Sequence, residues 1–174
     1  MAAPKSPRLI IFDLDDTLLD TSGWLIPVVN TKTFSERLEQ QLPLLDGARE
    51  ALEYLHKKYF LALVTIGNPA LQQKKLEQLS ISRFFKSIRL VDAAKGETKK
   101  QAFEEIASNQ QIPPGEILSI GNRRSTDIRP AKQLGMKTCL FVYGEHQNEL
   151  AEGSEDIPDF LVHSYHDLIE KCGL

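Results

Sequence analysis

The chain has 174 residues, room for one substantial core and a modest insertion at about 150 residues per domain. Its 21 basic and 24 acidic residues leave a net charge of -3, which makes no electrostatic case for general nucleic-acid binding, and 41% hydrophobic content matches an ordinary soluble protein. Cys139 and Cys172 are too few for a disulfide framework and lack zinc or redox spacing, so a reducing, cytoplasmic setting is expected. Met1 through Pro7 holds no apolar signal core, and no apolar run approaches the roughly 18 residues of a membrane span.

Leu9 to Phe12 is an unbroken β-forming run, the pattern of a strand buried on both faces, and Asp13 stands at its exit. Between Asp20 and Leu45 a short insert carries Trp24, Leu25, Ile26, Val28 and Val29, then a helix candidate with Phe34 and Leu38. It reads as a small lid or as apolar residues completing the core. From Asp46, assigned as an N-cap, Ala48, Ala51, Leu52 and Leu55 recur at helical spacing, and Phe60 to Thr65 returns to strand. Asn68-Pro69 then caps and starts a helix whose apolar face includes Leu71, Leu76 and Leu79.

Ser87 to Val91 predicts a further strand, Lys99 to Ser108 a helix and Ile117 to Ile120 a strand ending in a loop at Gly121. Ile128, Ala131 and Leu134 suit a short helix stopping at Gly135, with Pro130 blurring its start, and Thr138 to Tyr143 is another strand. Gly144 through Asp159 is acidic and broken by Gly153 and Pro158, so a solvated connection without a catalytic role is expected. Phe160 to Val162 adds a last strand, and Leu168 and Ile169 a terminal helix. The alternation predicts an α/β fold: a parallel, Rossmann-like sheet flanked by helices through right-handed crossovers.

The chemistry concentrates at strand exits. Asp13-Leu14-Asp15-Asp16-Thr17 places two carboxylates just beyond the first strand, where loops of a parallel sheet converge on ligands and a bound cation would offset their repulsion. Asp13 can attack a phosphoryl centre while Asp15 moves protons, although acidic residues also cap ordinary loops. Thr65, at the second strand's exit, suits a phosphate oxygen or a helix start. Lys95, Lys99 and Lys100 precede a helix, and Lys99 is favoured because it lies nearest the amphipathic stretch. After the Ile117 strand, Asn122 offers an amide oxygen and Asp127 a carboxylate to a hard cation, or both brace the loop. Arg123 and Arg124 suit phosphate, a second acidic group or ordinary surface roles, and His56, His146, His163 and His166 form no convincing metal site.

In combination these segments resemble the haloacid dehalogenase-like hydrolase superfamily, especially its magnesium-dependent aspartyl-phosphate phosphatases. Asp13-Leu14-Asp15-Asp16-Thr17 looks like its first motif, Thr65 its second, Lys99 its third and Gly121-Asn122 through Asp127 its fourth, from Arg8 to about Cys172. The resemblance implies one domain over residues 1–174 with a small cap or insert at 20–45. It implies Asp13 as nucleophile and magnesium ligand, and Asp15 as acid/base whose carbonyl also meets the metal. Thr65 and Lys99 would hold phosphate, and Asp127 would organise the metal directly or through water. Asn122 stands where the family pattern most often has a magnesium-binding aspartate, which retains an oxygen ligand but removes a charge.

The implied reaction is hydrolysis of a phosphomonoester through an aspartyl phosphate. Its expected partner is a phosphorylated substrate, with a short insert leaving either an exposed phosphoester or a site covered by a partner. Two other readings remain: a catalytically weak phosphate- or metal-binding interaction protein, for which Asn122 is the argument, and a phosphotransferase or phosphomutase delivering the group to an acceptor other than water.

Overall fold

The structure, a computed structural model, describes residues 6–174, so the expectation of no leader in Met1 through Pro7 falls largely outside the described residues. Its strands are β1 (Leu9–Phe12), β2 (Phe60–Ile66), β3 (Ser87–Val91), β4 (Ile117–Gly121), β5 (Lys137–Phe141) and β6 (Phe160–Val162). They form one sheet in the order β3-β2-β1-β4-β5-β6, and every neighbouring pair is parallel. The order reverses direction between β1 and β4, and the loops leaving these strands part there to open a crevice.

All four β1 residues are buried, as its unbroken apolar run predicts. Ile10 and Phe12 join the core on one face with Leu61, Leu63, Leu118 and Ile120, while Leu9 and Ile11 join Ala62, Val64 and Ile117 on the other. Successive strand side chains point to opposite faces, so a sheet covered on both sides needs apolar residues at every position. The first face is covered by α3 (Ala48–Leu55), α4 (Pro69–Leu79) and α7 (Tyr165–Cys172), the second by α5 (Lys99–Gln110) and α6 (Arg129–Gln133). The insert holds α1 (Thr21–Trp24) and α2 (Thr33–Leu38). Leu25, Leu38 and Leu42 sink from it into the first core, so part of this segment completes the interior.

Local signals set most helix starts. Asn68 accepts the Leu71 amide at 3.1 Å with Pro69 in the first turn. Thr98 and Gln101 form a reciprocal capping box that makes Lys99 the first residue of α5. Asp46 is not the N-cap of α3: Gly47 occupies that position in the left-handed region (φ 76°), and Asp46 is exposed. After β4 the chain makes one π-helical turn over Arg124–Ile128 before α6, and β5 ends at Phe141, two residues earlier than its β-forming run suggests. No helix among the described residues is long and apolar enough to cross a membrane.

The acidic segment 144–159 is anchored, not solvated throughout. Asp156, 1% exposed, accepts two hydrogen bonds from Arg129 at 2.7 and 2.8 Å, and its main-chain carbonyl accepts Arg124. Asp159 accepts Lys132 and the Thr138 amide, while Glu149 accepts the amide and hydroxyl of Ser125. Local acidity suggested solvation because the cations that answer it lie more than twenty residues earlier. The Arg129 hydrogen bond outweighs burial and holds the Asp156 carboxyl down from the usual 3.8 to about 2.

A depressed carboxyl pKa means that this contact's stabilisation is complete above about pH 4 and is lost as pH falls through about 2. Carboxyl-carbon NMR is expected to show Asp156 titrating near pH 2 in the native protein, and in the ordinary carboxylate range in Arg129→Met.

Candidate active site

The exits of β1, β2 and β4 meet at one end of the sheet. The Asp13 amide donates to the Ile120 carbonyl at 2.9 Å, locking the β1 exit to β4, and Thr65 lies next to the end of β2. A pocket of about 260 Å³ opens there. Asp13, Asp15, Asp16 and Thr21 line it from the first loop, Ile66 and Lys75 from β2 and α4, and Lys99 from α5. Asn122, Arg123 and Thr126 come from the loop after β4, and Glu145 and His146 from a turn after β5.

Lys99 sits at the base, buried with its Nζ 2.6 Å from Asp13 Oδ1 and 2.5 Å from Asp127 Oδ1. Burial favours its neutral form, but the two carboxylates win and raise its proton affinity. For Asp13 the balance is reversed: burial is the largest effect, Lys99 opposes it, Asp127 reinforces it, and the carboxyl is pushed up to about 7. Of the three candidate lysines Lys99 alone reaches this cluster, since Lys95 is exposed beside Asp92 at 3.7 Å and Lys100 is not on the pocket wall. Asp127 stands behind the wall, its second oxygen accepting the Arg123 amide at 3.0 Å. A Cβ at Gly121 would lie 2.3 Å from Asp127 Cγ, so this close approach requires glycine.

Asp15 is held by groups that residue-by-residue reading overlooked. Its Oδ1 accepts Lys75 Nζ at 2.7 Å and the Thr21 hydroxyl at 2.6 Å, and its Oδ2 accepts Gln72 Nε2 at 2.8 Å. Burial pushes the carboxyl up, but Lys75 and these hydrogen bonds prevail and lower it. Gln72 also donates to the Thr65 hydroxyl, which is buried behind the pocket wall. The signal was in the periodicity: Gln72 and Lys75 share the buried stripe of α4 with Leu76 and Leu79, at i, i+3, i+4 and i+7. Polar residues on an inward helical stripe need a buried partner.

The turn after β5, expected to be inert, forms the opposite wall. Tyr143 donates to Asp20 at 2.7 Å, and the Glu145 amide donates to Ser22 Oγ at 3.0 Å. Ser22 in turn donates its amide and hydroxyl to Asp16. Gly144 has φ +73°, and a Cβ there would come within 2.1 Å of Asp16 Oδ2, so only glycine lets the turns meet. His146 thereby joins the pocket wall, whereas Arg124 turns away to Glu149 and Asp156.

Hard oxygen donors face this cavity. Asp13 and Asn122 line it as residues with side-chain oxygens, and Asp15 lines the same pocket. The carboxylates of Asp13 and Asp127 share the single ammonium of Lys99, so the donors suit a small hard cation. Among the described residues no three Asp, Glu, His or Cys side chains group as ligands, so a metal here would depend on the amide of Asn122 and main-chain oxygen.

The model of the haloacid dehalogenase-like hydrolases matches residues 26–135. The chain belongs to that family. Among its relatives is glyceraldehyde 3-phosphate phosphatase of Pyrococcus furiosus, 32% identical over 127 residues, 71% of this chain and 52% of that protein. The chain spans about half the length of the glyceraldehyde 3-phosphate phosphatases it matches. Phosphoglycolate phosphatase of Pseudomonas fluorescens is 31% identical over 228 aligned positions, covering 97% of this chain and 80% of the relative. In fold, this family member is similar to the magnesium-bound HAD hydrolase YfnB of Bacillus subtilis, with a TM-score of 0.76, 20% identity, and coverage of 98% of this chain and 100% of that one.

Removing Lys99 from this family member leaves two buried carboxylates without their cation. Lys99→Met is expected to cost about 3 kcal/mol in urea unfolding, while Lys95→Met stays within about 0.5 kcal/mol of the native protein.

Proposed function

We propose that this chain is a magnesium-dependent phosphatase that hydrolyses a phosphorylated small molecule through an aspartyl phosphate on Asp13. The observation that carries this reading is the Asp13 carboxylate at the open end of β1, with Lys99 at 2.6 Å and Asp15 two residues away on the same pocket wall. The names of the relatives support the substrate class, and membership of the hydrolase family supports the reaction class.

An Asp13 oxygen attacks phosphorus as the bond to the alcohol oxygen breaks, and Asp15, which enters this step as the carboxylic acid although Lys75 favours its carboxylate, gives that oxygen a proton. Water then attacks the aspartyl phosphate, Asp15 takes the proton from the water, and phosphate leaves. Lys99 neutralises Asp13 and the phosphoryl oxygens across both displacements, so most of the catalysis comes from placed charge and aligned reactants. Magnesium held by Asp13, the Asp15 carbonyl and Asn122 would supply further positive charge to the phosphoryl oxygens. Asp127 acts one layer out, holding Lys99 and the loop of Asn122. Thr65 acts through Gln72, or meets phosphate once that side chain swings aside.

We read residues 1–174 as one domain with 20–45 as a small cap, since Thr21 and Ser22 of this insert reach Asp15 and Asp16. Asn122 favours a second reading, a weakly turning-over protein that binds phosphate or metal, because an amide binds a divalent cation less tightly than a carboxylate.

Magnesium-dependent release of phosphate from an aryl phosphomonoester is the direct assay. Asp13→Asn is expected to lower it by about 10³-fold or more, and Asp15→Asn by about 10²-fold to 10⁴-fold. Mass spectrometry of the quenched enzyme should find the phosphoryl group on Asp13, and phosphate trapped on another residue would overturn the mechanism.

Asn122→Asp restores a charge at nearly constant size and is expected to lower the magnesium concentration that half-saturates turnover. An unchanged magnesium dependence would remove Asn122 from the ligand set. Saturable phosphate binding without turnover on any phosphomonoester would favour the second reading.

A further inference from the structure

Lys75 is the buried cation that the mechanism above leaves without a task. Its side chain is 7% exposed in the middle of α4, on the stripe that elsewhere carries Leu76 and Leu79 into the core. An ammonium is costly to withdraw from water unless a counter-charge meets it, and a leucine at such a position would pack without that cost. The group it meets is Asp15, at 2.7 Å. Thr21 takes the same carboxylate oxygen from the insert, and Gln72, one turn before Lys75, takes the other. Both Asp15 oxygens are therefore bound by donors from two separate segments, and Lys75 is the only charged one among them.

We propose that Lys75 is a positioning residue for phosphoryl transfer, fixing the direction of the Asp15 carboxyl toward the leaving oxygen. The inference rests on the phosphatase reading and assigns α4 a part in it. In the first displacement the phosphorus–oxygen bond to the alcohol breaks and its electron pair stays on the alcohol oxygen, which takes the Asp15 proton. That transfer works only within hydrogen-bond reach and along the bond direction, so a carboxyl free to rotate delivers it less often. Lys75 and Thr21 hold Oδ1 and Gln72 holds Oδ2, so the carboxyl plane has one orientation.

The role separates by leaving group. A nitrophenolate departs without a proton, whereas an alkoxide needs one, so loss of alignment at Asp15 slows the first displacement on alkyl esters alone, while the attack of water, in which Asp15 is the base, slows for both. The experiment compares kcat and KM for 4-nitrophenyl phosphate and glycerol phosphate at saturating magnesium, in the native protein, Lys75→Met, Lys75→Arg and Asp15→Asn with and without Lys75→Met. Lys75→Met is expected to lower kcat/KM, which reads the first displacement alone, roughly tenfold to a hundredfold on the alkyl ester and by less than about threefold on the aryl ester, while kcat, which includes the attack of water, falls on both.

In the Asp15→Asn background the same change is expected to have no further effect on the alkyl ester, because the two residues act as one unit. Lys75→Arg keeps a buried cation with a different donor shape, so its alkyl-to-aryl ratio is expected to lie between the other two, and it carries the test if the Met variant does not fold. Equal losses in kcat/KM on both esters, additive losses in the Asp15→Asn background, or a native ratio of the two kcat/KM values in the folded variants would overturn the inference while leaving the phosphatase reading intact. Absence of turnover in the native protein, on either ester, would overturn both.

Discussion

One ammonium between two buried carboxylates constrains this site more than any other contact. Lys99 opens α5, Asp13 leaves β1 and Asp127 closes the π-helical turn before α6, so three elements distant in sequence are tied at one point. Each of these charges would be expensive to bury alone, and together they still leave an excess of negative charge at the end of the sheet. Burial, reinforced by Asp127, raises the Asp13 carboxyl, and the excess charge is the electrostatic condition under which a cation is welcome. Gly121 belongs to the same constraint, since a side chain there would push Asp127 off the end of β4.

Around this point the pocket has two further walls of different character. The α4 wall is polar and buried, with Gln72 bridging Thr65 to Asp15 and Lys75 facing Asp15 directly. The opposite wall is a turn fastened to the first loop through Tyr143, Gly144 and Glu145, which presents His146 to the cavity. The short insert adds Thr21 and Ser22 to the first loop while sending Leu25, Leu38 and Leu42 into the core. Lid and core were alternatives in the sequence, yet this segment contributes to the pocket wall and to the interior alike.

The parts legible in the sequence were those whose physics is local. Four apolar residues in β1 without alternation meant burial on both faces, and each face of that strand is covered. Asn68-Pro69 marked the start of α4 by cap chemistry alone, and the strands leading to Asp13, Thr65 and Asn122 were readable from β-forming runs. Asp46 misled because its residue type suits a cap, while the backbone at Gly47 had already taken the position. The acidic run after Gly144 misled because charge density was read without the arginines and lysine that meet it.

The family motifs implied one site for Asp13, Lys99 and Asn122, and the strand order that brings them into one pocket came from the fold. The amino-acid sequence by itself determined the alternation of strands and helices and the carboxylates at the first strand's exit, because periodicity, capping and β-propensity act within a few residues. The tertiary structure decided that Lys99 is the lysine lying between Asp13 and Asp127, and that Lys75 and Gln72 grip Asp15. These are contacts across 28 to 86 residues of chain, set by strand order and helix packing. A side chain's burial and partners depend on what the fold places opposite it, and no local pattern carries that information.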